Sequence, residues 1–492
     1  MNAADRVLLL ILAAAVLWPA VPAAADRPGQ VTLWPYEFVT KDGQKVEAEM
    51  GTLTVPENRR NPSGRMVELA FLRFKSTSSK PGSPITFLAG GPGGSGIEAA
   101  RGELFPIFMT MRQIADVIAL DQRGTGRSKP SLLCRESWFF DVSRPADLSE
   151  LVETTRREAR SCAESLRQDG VDLAAYNTIE SADDLEDLRK ALGAEKLNLW
   201  STSYGTQLAL AAIRRHEGSI DRVIMAGVQG PDHGVRSPAS VEAILHKIDR
   251  IAAEDPQISR QIPDLFGLMD ELLTRLEKEP VKIEAYDRLA GRTYEVHAGR
   301  TELQLFLARL LGRASDIERL PAQLHAMSQG DFSHLGLFVL HRRKGWLGPA
   351  LPYLMNCASG VSPEKFATFR LEEGHTLLGR TYEFPFPDVC EAWGVPSLGS
   401  DYRSAFHAEI PALLISGTLD ARTPSSNAEE VAGWLPNSGQ LIIERAGHGL
   451  DLFLASPQIA DVMVRFFAGE TVTPSQISSS HFEFAALGSL KE

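Results

Sequence analysis

Apolar and polar positions change their period several times along the chain. Residues 26–80 carry two β-rich runs, Met50–Val55 and Met66–Phe74, joined by the turn-rich link Pro56–Gly64. Ile85–Leu88 and Val117–Leu120 are short, uninterrupted apolar runs, the form taken by strands buried on both faces. The first runs into a glycine cluster and the second ends at Asp121. Ser181–Leu192 has Leu185, Leu188 and Leu192 at helical spacing, and Ser181-Ala182-Asp183-Asp184 predicts an N-cap at Ser181 with acids in the first turn. Leu197 to Trp200 is again a strand, followed by small residues and a helical pattern from Gln207 to Arg215, and Arg222–Met225 is one more strand. This alternation predicts a mainly parallel sheet with helices on both faces.

The rhythm changes near Gln229. From Ser237 to about Asn356 the pattern is mostly helical, with one stripe at Val241, Ile244, Leu245, Ile248 and Ile251, and another at Leu265, Leu268, Leu272 and Leu276 that Pro280 ends. The α/β rhythm returns with a strand at Ala412–Ile415, a helix at Ser425–Trp434 and a strand at Gln440–Ile443. The expected organisation is a split α/β core, residues 26–228 and 401–470, interrupted by a helical insertion at 229–400. A Ser/Thr-rich tail, 471–492, has no assigned role. No internal repeat is present.

The first 25 residues stand apart. Arg6 precedes an apolar run, Val7–Trp18, and Ala23-Ala24-Ala25 supplies small residues before Asp26. The run is short for a bilayer span, so a cleaved secretory leader is expected over 1–25, with an uncleaved anchor as the alternative. The chain is 43% hydrophobic and 23% charged, with net charge −12, and Asp5 and Arg6 cancel within the leader. An acidic protein has no electrostatic attraction to nucleic acid or anionic membranes, and neither is expected as a partner. Four cysteines, Cys134, Cys162, Cys357 and Cys390, suit disulfides in an exported protein. Three pairings are possible; the sequence-local one joins Cys134 to Cys162 and Cys357 to Cys390. Metal-ligand spacings are missing, so no metal or other cofactor is expected.

The chemistry centres on Trp200-Ser201-Thr202-Ser203-Tyr204-Gly205. A strand, a sharp turn and a helix lift a serine hydroxyl above a sheet, and small neighbours let strand and helix pack closely. The usual form is Gly-x-Ser-x-Gly; here Ser201 replaces the first glycine, which adds a Cβ and a hydroxyl at a crowded position. A serine nucleophile needs a histidine base and an acid to orient it. Asp420 follows the strand Ala412–Ile415, and His448 follows Gln440–Ile443 in Ala446-Gly447-His448-Gly449. Both lie beyond strand ends, in the chain order Ser, Asp, His. Asp401 and Glu444 are rival acids that close no suitable strand. For the oxyanion, donors are expected from the backbone N–H of Tyr204 and from Gly91 in Gly90-Gly91-Pro92-Gly93-Gly94-Ser95-Gly96, since Pro92 has no N–H. A phosphate-binding loop fits that glycine cluster less well, because no Gly-Lys-Ser/Thr follows. Asp121-Gln122-Arg123-Gly124-Thr125-Gly126-Arg127-Ser128 is expected to be a structural turn tied by Asp–Arg pairing rather than a substrate contact.

Together the glycine loop, the Asp121–Ser128 cluster, Ser203-Tyr204-Gly205-Thr206, Gly417-Thr418-Leu419-Asp420-Ala421-Arg422-Thr423-Pro424 and the His448 loop resemble the prolyl aminopeptidase family of α/β-hydrolases, most nearly its exported tripeptidyl aminopeptidase branch. The likeness covers about residues 45–230 and 400–455. Ala89 stands where prolyl aminopeptidases usually have histidine, and Ala421 replaces a frequent proline. The resemblance implies an α/β-hydrolase fold with an inserted, mostly helical cap, and a serine exopeptidase acting on peptide N-termini through Ser203, Asp420 and His448. A carboxylesterase on the same triad is the nearest alternative, and a non-catalytic binding protein a more distant one. The expected partner is a peptide or small acyl substrate, met in the periplasm or outside the cell. An aminopeptidase also needs a carboxylate for the substrate's α-ammonium, and Glu242, Asp249, Glu254, Asp255, Asp264 and Asp270 are the candidates in the insertion.

Overall fold

The computed structural model describes residues 27–342, 344–473 and 475–489; the expected leader and its anchor alternative lie outside the described residues. The strands are β1 (Val31–Val39), β2 (Lys45–Pro56), β3 (Met66–Phe74), β4 (Ile85–Leu88), β5 (Val117–Leu120), β6 (Ser137–Phe139), β7 (Leu197–Thr202), β8 (Ile220–Ala226), β9 (Val281–Asp287), β10 (Arg292–Ala298), β11 (Lys344–Trp346), β12 (Ala412–Gly417), β13 (Ser438–Glu444) and β14 (Ser475–Ser478). Ten of them form one sheet in the order β1-β2-β3-β5-β4-β7-β8-β12-β13-β14. β1, β2, β3 and β5 pair antiparallel, and every pairing from β5 through β4 to β14 is parallel.

Every residue of β4, β5 and β12 is buried, which is why these strands read as unbroken apolar runs rather than alternating ones. Successive side chains leave a strand on opposite faces, so one strand feeds two cores. Leu197 and Leu199 of β7 join the core that holds Val223, Met225 and Leu414. Trp200, one residue on, joins the opposite core with Phe87, Ile224 and Ile415. The Trp200 ring meets Phe87, Phe108 and Phe453 with centroids 4.6, 4.8 and 5.6 Å away, the spacing of favourable edge-on and tilted aromatic pairs. This anchors β7 immediately below the serine turn.

The chain leaves the sheet after β8 and rejoins it at β12, the neighbouring strand. Between them lie the helices Pro238–Glu254, Leu265–Lys278, Arg300–Leu310, Leu320–Ser328 and Ser333–Arg342, with others, around a third apolar core. The insertion is not wholly helical: β9 and β10 form an antiparallel hairpin within it. Two further elements differ from the sequence expectation. The helix expected from Ser181 spans Thr178–Ala191, and the Asn177 side chain caps it by accepting from the Ile179 and Glu180 N–H groups. The Ser/Thr-rich tail supplies β14, the last strand of the sheet, and Phe484 beyond it is buried in the insertion's core. Cys134 bonds to Cys162 and Cys357 to Cys390, the sequence-local pairing. The first bond ties the loop before β6 to the helix Leu148–Gln168.

Candidate active site

Ser203 sits between β7 and the helix Tyr204–His216 with φ 55° and ψ −127°. A positive φ is strained for a residue with a Cβ. The turn is held from both sides: the Ser203 N–H donates to the Ala226 carbonyl at 2.9 Å, and the Thr206 hydroxyl donates to the Ser203 carbonyl at 2.6 Å. Gly205 admits no side chain, because a Cβ there would lie 2.1 Å from the Leu88 carbonyl oxygen. Ser201 is fully buried, yet its hydroxyl donates to the Ile224 carbonyl at 2.8 Å. The extra polar group is therefore satisfied rather than stranded.

The three residues expected to form the triad meet. His448 Nε2 is 3.0 Å from Ser203 Oγ, and His448 Nδ1 is 2.8 Å from Asp420 Oδ2. Asp420 is fully buried and accepts at Oδ1 from the backbone N–H groups of Arg422 and Thr423, each at 2.8 Å. The Thr423 hydroxyl donates to Oδ2 at 2.7 Å. Burial on its own would raise the Asp420 carboxyl; the attraction of His448 and the hydrogen bonds from His448 and Thr423 outweigh it and hold the group below its ordinary range. The rival acids are elsewhere. Asp401 is exposed, and Glu444 accepts from the Ser478 hydroxyl at 3.1 Å.

The histidine loop is fastened to the insertion. The His448 N–H donates to the Gly312 carbonyl at 2.7 Å. Asp451 Oδ2 accepts from the Gly447 N–H at 3.0 Å and the Ala314 N–H at 2.6 Å, which clamps the two loops together. Thr423 and Asp451 carry no sequence pattern that marks them for these tasks. Only their nearness to Asp420 and His448 along the chain points to them.

The glycine loop passes directly over the serine. A Cβ on Gly90 would fall 2.8 Å from Ser203 Cβ and 2.9 Å from the Thr202 carbonyl oxygen, so glycine is required by this close approach. The loop is braced from below. Asp121 Oδ1 accepts from the Ser95 hydroxyl at 2.5 Å and the Ile97 N–H at 3.2 Å, and Asp121 Oδ2 accepts from the Arg127 N–H at 2.8 Å. Gln122 Nε2 donates to the Ala89 carbonyl at 3.0 Å. The Asp121–Ser128 cluster is thus a structural turn, but the expected Asp–Arg pairing within it is not what ties it. Arg123 is fully buried and turns away to a two-pronged pair with Asp184, Nε and Nη2 each 2.7 Å from a carboxylate oxygen.

A cleft of about 590 Å³ opens beside these groups, lined by Gly90, Gly91, Thr202 and His448 together with Arg309, Arg313 and Arg422. The six acids considered for an α-ammonium site are not among its lining. Glu242 accepts from the Leu377 N–H, and Asp249 from the Leu265 and Phe266 N–H groups. Asp255 and Asp264 cap the helices Pro256–Ser259 and Leu265–Lys278. Glu254 and Asp270 are exposed.

A serine at a strand-to-helix turn, facing a histidine and a buried aspartate at the carboxyl edge of a largely parallel sheet, belongs to a serine hydrolase. The family model described as alpha/beta hydrolase fold matches residues 83–450, and the chain belongs to that family. It is 30% identical over 191 residues to "Serine protease Hip1" of Mycobacterium tuberculosis (strain ATCC 25618 / H37Rv), a match covering 37% of this chain and 36% of that protein. It is 29% identical over 192 residues to "Tripeptidyl aminopeptidase" of Streptomyces lividans, covering 37% and 36%. "Carboxylesterase B" of Mycobacterium tuberculosis (strain CDC 1551 / Oshkosh) is 28% identical over 187 residues, covering 35% of each. The chain spans little more than a third of the length of the curated relatives it matches.

Proposed function

We propose that the protein is an exported aminopeptidase of the prolyl or tripeptidyl type, with its α/β core in residues 26–228 and 401–470 and a cap over 229–400. Ser203, His448 and Asp420 are its catalytic triad. The observation that carries this reading is the hydrogen-bonded chain from Ser203 Oγ through His448 to buried Asp420. Asp420 holds the Nδ1–H tautomer, which leaves Nε2 free to take the serine proton as Oγ attacks a carbonyl carbon. The Gly91 and Tyr204 N–H groups stabilise the resulting oxyanion. His448 then protonates the leaving amine, and a water activated by the same histidine releases the acyl group from Ser203. Two disulfides support passage through an oxidising compartment. Among the described residues no helix is long and apolar enough to cross a membrane.

Peptide specificity draws its support from the relatives named as a serine protease and a tripeptidyl aminopeptidase. A carboxylesterase is the second reading. It is favoured by the lack of any of the six candidate acids in the cleft lining and by the relative named carboxylesterase. Labelling with a fluorophosphonate probe tests the nucleophile: wild type is expected to label and Ser203→Ala to remain unlabelled, while equal labelling of both would remove Ser203 from its role. Digestion of a peptide library, read by mass spectrometry, then separates the two specificities. Ester turnover without any peptide cleavage would leave the carboxylesterase.

A further inference from the structure

We propose that the cleft beside Ser203 selects substrates that carry a carboxylate close to the bond being cut, with Arg422 as its anchor and Arg309 and Arg313 flanking it. This rests on the reading of Ser203 as a hydrolase nucleophile and names the substrate class for that site. Three arginines line the cleft that His448 and the glycine loop also line. They come from two places in the chain: Arg309 and Arg313 from the end of the helix Arg300–Leu310 and the loop after it, Arg422 from the loop after β12.

The three differ in how far the protein already neutralises them. Arg309 Nη1 pairs with Asp316 at 3.0 Å. The nearest carboxylate to Arg313 is Glu103, at 3.9 Å. Arg422 is half-buried, and among the described residues no carboxylate stands within ion-pair distance of its guanidinium. Its backbone, by contrast, is pinned at both ends. The Arg422 N–H donates to Asp420 Oδ1 at 2.8 Å, and its carbonyl accepts from Arg236 Nε at 2.9 Å. Arg236 is itself neutralised by Glu383, at 2.9 and 3.0 Å. The Arg422 side chain lies against Gly312, the residue whose carbonyl holds the His448 N–H. The backbone that carries the cationic group is thus fixed two residues from the proposed triad acid, with the side chain against the loop that holds the histidine.

The acid that lines this cleft, Glu98, is already engaged by Arg101 at 3.1 Å. The cleft is therefore cationic in a protein of net charge −12, and a concave site of one sign concentrates ligands of the other. With no ion pair or side-chain hydrogen bond among the described residues, the Arg422 guanidinium is open to an incoming anion. A carboxylate supplies the planar, two-pronged acceptor that an arginine fork matches.

Two pairs of esters test this, each differing only in a carboxylate: 4-acetoxybenzoate against its methyl ester, and mono-4-nitrophenyl adipate against 4-nitrophenyl hexanoate. They place the charge on the leaving group and on the acyl group respectively. The readout is the ratio of kcat/KM, acid over neutral, corrected for the uncatalysed rate. Wild type is expected to favour the acid by roughly tenfold or more in one pair, the effect of one hydrogen bond to a charged group. Arg422→Gln is expected to bring that ratio toward one, Arg422→Lys to retain part of it, and Arg313→Gln to lower it less. Raising the salt from about 10 mM to about 500 mM is expected to reduce the wild-type ratio. A wild type that labels with fluorophosphonate but shows no acid preference in either pair overturns the proposal and leaves the hydrolase intact. So does an unaltered ratio in folded Arg422→Gln or, where that variant fails to fold, a wild-type ratio that salt does not change. A wild type that does not label overturns the hydrolase reading, and the proposal falls with it.

Discussion

Replacing Ser201 with glycine restores the residue that serine turns of this kind usually carry, and the structure predicts that the restoration destabilises the protein. Ser201 is fully buried in β7, and its hydroxyl donates to the Ile224 carbonyl at 2.8 Å. Loss of that bond costs about 1 kcal/mol. A glycine inside a strand costs a further ~0.5–1 kcal/mol through the freedom it gains in the unfolded chain. The sum is about 2 kcal/mol. Unfolding entropy of about 2.1 cal/mol/K per residue, over 492 residues, converts this to a fall in Tm of about 2 °C. The assay is thermal unfolding followed by circular dichroism, alongside the rate of fluorophosphonate labelling. Labelling is expected to stay near wild type, since Gly205, Gly90 and the Ser203 N–H bond to Ala226 shape the turn. A Tm equal to or above wild type would refute the reasoning, because it would mean that Ser201 is a strained substitute rather than an integrated part of the strand.

Gly90→Ala is expected to abolish labelling while the protein stays folded, since the new Cβ would sit 2.8 Å from Ser203 Cβ; a labelled, active Gly90→Ala protein would show that the loop moves freely. Replacing both Cys357 and Cys390 by serine opens a loop with a sequence separation of 33, which lowers stability by about 3.7 kcal/mol on loop entropy and Tm by about 4 °C, measured by the same melts. Glu430 is held down to about 2, first by its hydrogen bond with His233 and then by Lys365, against burial. A depressed folded value means the stabilisation is present above the ordinary carboxylate pKa near 4.5 and is lost as pH falls through about 2. The stability gap between wild type and Glu430→Gln should therefore be open at pH 6 and close between those values, as read from Tm against pH.

The parts of the fold that were legible are those where local pattern and final environment coincide. β4 and β5 are four-residue apolar runs bounded by turn formers, and burial on both faces leaves no other reading. Asp420 was visible because it follows β12, another fully buried run, and His448 because it follows β13 in a glycine-flanked turn. The failures share a different cause. Asn177 and Ser181 are both good N-caps; Asn177 is the one used, and the extra turn it starts is packed inward, with the Thr178 hydroxyl 3.1 Å from the Tyr204 hydroxyl. β14 is Ser-Gln-Ile-Ser, with Ile477 as its one buried residue, and β13 rather than its own composition makes it a strand. β9 does alternate, with Ile283 and Ala285 inward and Lys282, Glu284 and Tyr286 outward, but strong helical stripes on either side hid the change of period. Arg123 found Asp184, 61 residues away, instead of its neighbour Asp121. Ion pairing is set by which charges folding buries together, and spacing along a chain carries little of that information.

The same limit explains why chemistry was easier to read than specificity. Ser203, His448 and Asp420, the proposed nucleophile, base and acid, stand beyond strand ends, so their positions follow from the order of strands in the sheet. Arg309 and Arg313 belong to the insertion, and only Arg422 to the sheet's own loops. Gly312 and Ala314, between the helix Arg300–Leu310 and the start of the short helix Ala314–Ile317, hold the His448 loop through the Gly312 carbonyl and through Asp451. Arg313 lies between them and faces the cleft. One short loop therefore positions the histidine with its backbone and sets the charge of the site with a side chain. Backbone contacts tolerate side-chain change, so under the proposed carboxylate selection substitutions at Arg309 and Arg313 would alter substrate preference while the histidine keeps its place. Arg422 is placed differently: its backbone N–H donates to Asp420 Oδ1, so the loop that carries the acid also carries the proposed anchor.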